Sequence, residues 1–337
     1  MTSRVILKKR WRISFLIHCY CMLKSAIFEI KTLHLHLSID YVINRIPNSF
    51  TMFTRFIYIL YPTAFVMYPL FVLFSKLIGA ATVVTDSELA KLAQLLWNTD
   101  VNKDVNVNVN IQGFSRQGAD NARNPLFGKV DSKTLQKDTY KTFIALLDNY
   151  DPEGLRAEDS TRSEQAEIDA FINAIGKTAV VKETHKFLLR KGLAPKSFQS
   201  FMQNMKKIWF SMYPPDKNHK NILASSGFEH VFLGEIKRKK LVGLHNWVAF
   251  YIKEKAGALD YTGHKKTLLT SRPVSSMILG SSPELEMSLY SLCFYARPNA
   301  NCNIPIDGLN LVVQSFVLRN RGRELVATAF PKLLRKN

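Results

Sequence analysis

The sequence predicts an α+β fold, with a helical N-terminal half followed by a β-rich half. Three observations predict it. Between residues 85 and 213, apolar side chains recur at helical spacing in several separate runs. After residue 220 the character changes to short apolar runs broken by Gly and Pro, which read as strands. Two of those runs each hold a histidine, His230 and His245, and the basic stretch Lys237-Arg238-Lys239-Lys240 lies between them. Helices first and strands second is the α+β order.

Taken in order, Thr85-Asp86-Ser87-Glu88 is a helix-capping signature, followed by Leu89, Leu92, Leu95 and Leu96 at helical spacing. Residues 101–110 alternate Val and Asn with charges, which reads as a loop or an exposed strand. Residues 140–147, 164–175 and 181–189 each read as an amphipathic helix. So do residues 197–213, where Phe198, Phe201, Met202, Met205, Ile208 and Trp209 form a core-facing stripe. Pro214-Pro215-Asp216 ends that helix. In the second half only residues 247–254 read as helix.

The run Gly227-Phe228-Glu229-His230-Val231-Phe232-Leu233-Gly234-Glu235 and the run Leu241-Val242-Gly243-Leu244-His245-Asn246-Trp247 fit the arms of an antiparallel hairpin bent at Lys237 and Arg238. That register sets His230 opposite His245, where side chains have Cβ atoms about 5 Å apart. Two facing imidazoles suit proton removal at one atom and proton delivery at another.

A chain of 337 residues is long enough for one large or two modest domains with a real core. The formal charge of +19 is spread over the first 83 residues and the remainder alike. A basic body points to a polyanionic partner, nucleic acid or an anionic membrane surface. Four cysteines form no dense disulfide framework. Cys293 and Cys302 fit either one local bridge in an exported protein or two buried thiols. No N-glycosylation sequon is present.

Residues 1–51 are a basic extension with no assignable role. Residues 52–83 read as a signal peptide or a signal-anchor transmembrane helix. The uncharged run 56–75 meets the roughly 20 residues a spanning helix needs. Either reading makes the protein secreted or membrane-anchored, with residues 84 onward outside the cytosol. A buried core helix is the remaining alternative.

Over roughly residues 84–331, within a domain placed at residues 84–335, the sequence resembles the EndoU family of uridylate-specific endoribonucleases. The resemblance is carried by Leu95-Leu96-Trp97-Asn98, Pro125-Leu126-Phe127, the run Thr142 through Tyr150, the two histidine runs, and Gly280-Ser281-Ser282-Pro283-Glu284 ahead of Leu289-Tyr290-Ser291-Leu292-Cys293-Phe294. It implies Mn²⁺-dependent cleavage of single-stranded RNA 3′ to uridine, by attack of the ribose 2′-hydroxyl to give a 2′,3′-cyclic phosphate. It implies that His230 and His245 are the acid–base pair, with His245 the favoured base and His230 the acid. It matches Glu229 and Glu235 to positions needed for activity, where they either tune the imidazoles, hold Mn²⁺ or are surface charges of the hairpin. Arg272 stands where the family has a catalytic lysine, after a shortened loop that holds Lys265 and Lys266. Ser276, Thr328 and Phe330 fall at the uracil-binding positions, with Phe330 replacing a tyrosine.

An arginine at that position keeps the cation but is effectively never deprotonated. Two rival readings follow. One is an EndoU-fold protein that binds RNA with an impaired site. The other is a structural protein whose basic surface serves anionic lipid.

Overall fold

The structure, a computed structural model, describes residues 83–113, 122–151, 161–216, 218–237, 240–259 and 276–333. All of these fall in one compact unit, Gly79–Asn337. The N-terminal unit, Met1–Ile78, lies outside the described residues, and with it nearly all of the expected signal or anchor segment at 52–83. No described helix is long and apolar enough to cross a membrane.

The helical half begins with α1 (Asp86–Thr99). Thr85 Oγ1 accepts from Glu88 N at 3.3 Å, and Thr85 N donates to the Glu88 carboxylate at 2.9 Å. This reciprocal cap satisfies two of the amides that a helix start leaves orphaned. Leu89, Leu92 and Leu96 face the core as the spacing requires, whereas Leu95 sits off that stripe and is exposed. Residues 101–110 are turns rather than a strand, apart from a single bridge between Val109 and Phe127. Two short helices follow, α2 (Ser132–Leu135) and α3 (Asp138–Ile144). Then come α4 (Arg162–Gly176), α5 (Ala179–Arg190) and α6 (Phe198–Phe210). Thr161, Thr178 and Ser197 cap these last three by accepting from backbone amides three residues on. The aromatic stripe of α6 is core, as its spacing predicts: Phe201, Met205 and Trp209 are fully buried.

The second half departs from its reading as strands. Among its described residues it holds a two-stranded hairpin, a three-stranded sheet and two α-helices, α7 (Trp247–Lys255) and α8 (Pro283–Ala296). Helix α8 is the correction. Every residue from 283 to 294 is buried. A helix enclosed on all sides buries its polar residues, here Glu284, Glu286, Ser288 and Ser291, along with its apolar ones, so it carries no amphipathic period to betray it. Its start is conventional: Ser282 caps Leu285 N at 3.1 Å and Pro283 occupies the first turn. Trp209 Nε1 donates to Ser291 Oγ at 2.8 Å, tying α6 to the middle of α8.

The strands form a two-stranded hairpin, β1 (Glu235–Lys237) with β2 (Lys240–Val242), and a three-stranded antiparallel sheet. That sheet is ordered β3 (Asn301–Asn303), β4 (Leu311–Asn320), β5 (Arg323–Leu333). A disulfide joins Cys293, near the end of α8, to Cys302 in β3, which decides between the two readings of those cysteines.

A network of buried carboxyls gathers at the N-terminus of α8. Asp100, Glu284 and Glu286 are each at most 1% exposed. Glu286 accepts from Ser281 Oγ at 2.5 Å and from Asn246 Nδ2 at 3.1 Å. Asp100 accepts from the amides of Asn102, Lys103 and Ser282, and Asn102 Nδ2 donates to Glu284 at 2.6 Å. Burial raises all three pKa values against these hydrogen bonds, and Glu286 is pushed up to about 8. Charge in a low-dielectric interior costs far more than a neutral carboxyl, so Glu286 is protonated at neutral pH.

Two measurements follow from these features. The disulfide closes a loop of nine residues' separation. Replacing both cysteines by serine is expected to cost about 2–3 kcal/mol in urea unfolding, by the loop-entropy relation. For Glu286, the folded pKa lies above the unfolded value of 4.5. Its proton therefore stabilises the fold fully below that unfolded value, and the stabilisation is lost as pH rises to the folded value. Wild-type stability should fall between about pH 5 and 8, by about 1 kcal/mol per pH unit from this group. Glu286→Gln should remove that slope.

Candidate active site

Residues 227–233, expected as a strand, are helical. His230 sits in a single π-helical turn, Glu229–Leu233, closed by Gly234 N donating to Glu229 O at 2.8 Å. Ser226 Oγ accepts from Glu229 N at 3.1 Å at its start. Phe228 and Phe232 anchor the turn in the core. Their rings stack at 5.0 Å, and Phe228 stacks on Phe210 of α6 at 4.5 Å. Phe228, Val231 and Phe232 thus point inward while His230 emerges, with its side chain 19% exposed.

The hairpin expected to set the two histidines opposite one another exists, but is shorter and in another register. Its pairs are Glu235↔Val242, Ile236↔Leu241 and Lys237↔Lys240, so the bend falls between Lys237 and Lys240. The ladder stops before either histidine. Gly234 (φ 79°), Gly243 (φ 75°) and Leu244 (φ 58°) turn both arms out of extended geometry. Two main-chain hydrogen bonds then take over: Leu244 N donates to His230 O at 3.1 Å, and His245 N to Val231 O at 2.6 Å. A side chain at Gly243 would clash with the His230 carbonyl, so this approach requires glycine. The histidines are brought together by this stitch and not by a continuous ladder.

His230 Nδ1–H donates to Glu235 Oε2 at 2.6 Å. Lys237 Nζ reaches the same oxygen at 2.8 Å, and Ser225 Oγ donates to Oε1. Burial pushes the Glu235 carboxyl up, but the His230 hydrogen bond and charge, with Lys237 and Ser225, outweigh it and hold the pKa at about 2. Glu235 is therefore a permanent anion beside His230. Glu229 is fully buried in the turn, and its charge opposes the downward pull of burial on Lys253 of α7.

His245 lies just before α7, whose N-cap is Asn246, and is 3% exposed. Its Nδ1–H donates to Ser276 O at 3.0 Å, which leaves the lone pair on Nε2. Burial lowers its pKa to about 4, helped by His230 and opposed by the Ser276 hydrogen bond, so the ring is neutral at pH 7. Ser276 Oγ donates to Pro331 O at 2.5 Å. On the adjacent residue of β5, the Phe330 ring stacks on the His245 imidazole, centroids 5.3 Å apart and planes inclined by 26°. Thr328, two residues earlier on β5, shares the Phe330 side of the strand and pairs with Phe316.

Seven of the eight expected residues thus have a described place. His230, Glu229 and Glu235 stand on the π-turn and β1, and His245, Ser276 and Phe330 converge from three segments. Thr328 lies along the same strand face. Arg272 lies outside the described residues, as do Lys265 and Lys266. Sequence reasoning missed Ser225, Ser226, Lys237 and Lys332. Lys332 Nζ sits 5.0 Å from the Phe330 centroid and donates to Gln314. Its position two residues past Phe330 was the legible sign, since a strand repeats its face every second residue.

The described donor set does not fit Mn²⁺. No group of three or more His, Cys, Asp or Glu side chains among the described residues is placed to hold a metal. Both Glu235 oxygens are already engaged by His230, Lys237 and Ser225.

The same arrangement of elements is found in known proteins. The family model for Endoribonuclease XendoU matches residues 88–331. A uridylate-specific endoribonuclease of Bos taurus is 35% identical over 278 residues, covering 74% of this chain and 66% of that protein. The chain thus spans about two-thirds of that relative's length. A poly(U)-specific endoribonuclease-B of Xenopus laevis is 37% identical over 281 residues, covering 74% of this chain and 95% of that protein. The solved structure of XendoU, described as a splicing-independent snoRNA-processing endoribonuclease, superposes with a TM-score of 0.60 at 34% identity. It covers 74% of this chain and 98% of that one. On this match of sequence and fold, the chain belongs to the XendoU endoribonuclease family.

Proposed function

We propose that this protein cleaves single-stranded RNA on the 3′ side of uridine, leaving a 2′,3′-cyclic phosphate. The observation that supports the reading best is the unequal setting of two neighbouring imidazoles. His245 is neutral, with Nδ1 committed to a carbonyl and a lone pair at Nε2. His230 stands against a carboxylate that balances the charge of an imidazolium. In this reading His245 Nε2 takes the proton of the 2′-hydroxyl, and the 2′-oxygen attacks phosphorus. The P–O5′ bond breaks, and His230 delivers its proton to the leaving O5′. Glu235 orients His230 and Ser276 orients His245; Glu229 supports the turn from within the core. Uridine preference is assigned to Ser276, Thr328 and the Phe330 ring, and the names of the bovine and Xenopus relatives support it.

Arg272 in this reading stabilises charge on the phosphate and moves no proton, because a guanidinium does not deprotonate. Manganese dependence enters only through the family resemblance. The Cys293–Cys302 disulfide supports an oxidising compartment, in keeping with a secreted or membrane-anchored protein.

The test is incubation of the protein with an oligonucleotide holding a single ribouridine, with Mn²⁺ and with chelator. Cleavage at the uridine with a cyclic end is expected, with His230→Ala and His245→Ala each slower by at least about 100-fold. Bound but intact oligonucleotide would instead mark an RNA-binding protein with an impaired site. Since the base must be unprotonated, kcat/KM should rise with pH through about 4, the value set for His245. A low-pH limb unchanged in position by Ser276→Ala and Phe330→Leu but absent from His245→Ala would still assign it to His245; a limb retained in His245→Ala would remove His245 as base.

A further inference from the structure

The β1–β2 hairpin projects from the histidine pair and pairs with no other strand among the described residues. Its two sides differ. Side chains alternate along a strand, so Glu235 and Lys237 share one side, and across the ladder Val242 and Lys240 share it with them. The contact of Lys237 Nζ with Glu235 Oε2 at 2.8 Å shows that this side runs into the His230 site, since the same oxygen holds His230 at 2.6 Å. The reverse side carries Ile236 opposite Leu241, both exposed. Lys240 is exposed. The two residues joining the arms in the sequence, Arg238 and Lys239, are cations as well.

We propose that the site-facing side of this hairpin, through Lys240 and Lys237, is a phosphate-binding arm that holds the RNA backbone away from the scissile bond. The proposal rests on the RNA-cleaving reading and extends its substrate from a single uridylate to a strand of several nucleotides. Three points carry it. The cations lie on the same side of the ladder as the carboxylate that holds His230, so a strand leaving the histidines meets them next. Lys240 pairs with Lys237, two residues beyond Glu235, which at 3.3 Å per residue sets it about 7 Å farther along the ladder than the carboxylate that holds His230. Lys240 makes no side-chain hydrogen bond or ion pair among the described residues, whereas Lys237 also screens Glu235. A lysine contributes to RNA as a point charge that releases counterions, and this contact carries no base preference. Were the hairpin a lipid anchor, its apolar side would be the working one, and that side faces away from the histidines.

The test compares the full chain with Lys240→Glu and, as a control on the reverse side, Ile236→Thr. Binding is measured with a long oligonucleotide whose only uridine is 2′-deoxyuridine, which cannot be cleaved. Cleavage is measured with a long ribo-oligonucleotide and with a uridylyl dinucleotide. Lys240→Glu should weaken binding of the long strand several-fold and reduce the slope of log K against log salt by about 0.7, the value for one lost phosphate contact on a single strand. It should raise KM on the long substrate and leave the dinucleotide unchanged; Ile236→Thr should change neither. Equal effects on both substrates, an unaltered salt slope, or loss in Ile236→Thr of binding to phosphatidylserine vesicles would overturn the proposal. If the wild type binds but does not cleave, the binding arm still tests the hairpin, so the two readings fail separately.

Discussion

Everything in the site hangs on two main-chain hydrogen bonds, from Leu244 and His245 to the carbonyls of His230 and Val231. They cross where the hairpin ladder has already ended. Gly243 is what lets the backbones approach, because any side chain there would run into the His230 carbonyl. On one side of the stitch the π-turn is locked by Phe228 and Phe232 in the aromatic core; on the other, Asn246 caps α7 through Ala249 N at 2.9 Å. The same Asn246 reaches Glu286 in the buried carboxyl network. The imidazole that follows the stitch is thus fixed from below by α7 and α8, and from the side by β5 through Phe330 and the Ser276–Pro331 bond.

The buried carboxyls explain how distant segments are held in one frame. Asp100 at the end of α1 receives the amide of Ser282, and Trp247 of α7 donates to Ser281 O at 2.8 Å. A short stretch ahead of α8 therefore binds α1, α7 and α8 together. The network is tolerable only because its members are hydrogen-bonded and because burial keeps Glu286 neutral.

What the sequence disclosed follows locality. The Thr85–Glu88 cap and the α6 stripe are local, and both appear as read. The α+β order held as well. The π-turn was legible in principle: Phe228, Val231 and Phe232 stand at i, i+3 and i+4, a helical and not an alternating spacing. Bounded by Gly227 and Gly234, the run is too short to make that period conspicuous. Helix α8 was hidden because total burial erases amphipathicity. The hairpin was foreseen, but its register depends on where the glycines break the arms. The Ser276–Pro331 contact joins residues 55 apart, and no local pattern encodes such a meeting.

Because the stitch, and not the ladder, sets the histidines together, the outer end of the arms reaches the imidazoles through the Glu235 side chain at the start of β1. Gly234 and Gly243 bend both arms between the ladder and the stitch, while Lys237 touches Glu235, which holds His230. On the other arm Lys240 and Leu241 are exposed, so substitutions there leave the stitch in place. A lineage, or a designer, is able to rewrite what that arm contacts while the two histidines stay where the backbone has pinned them.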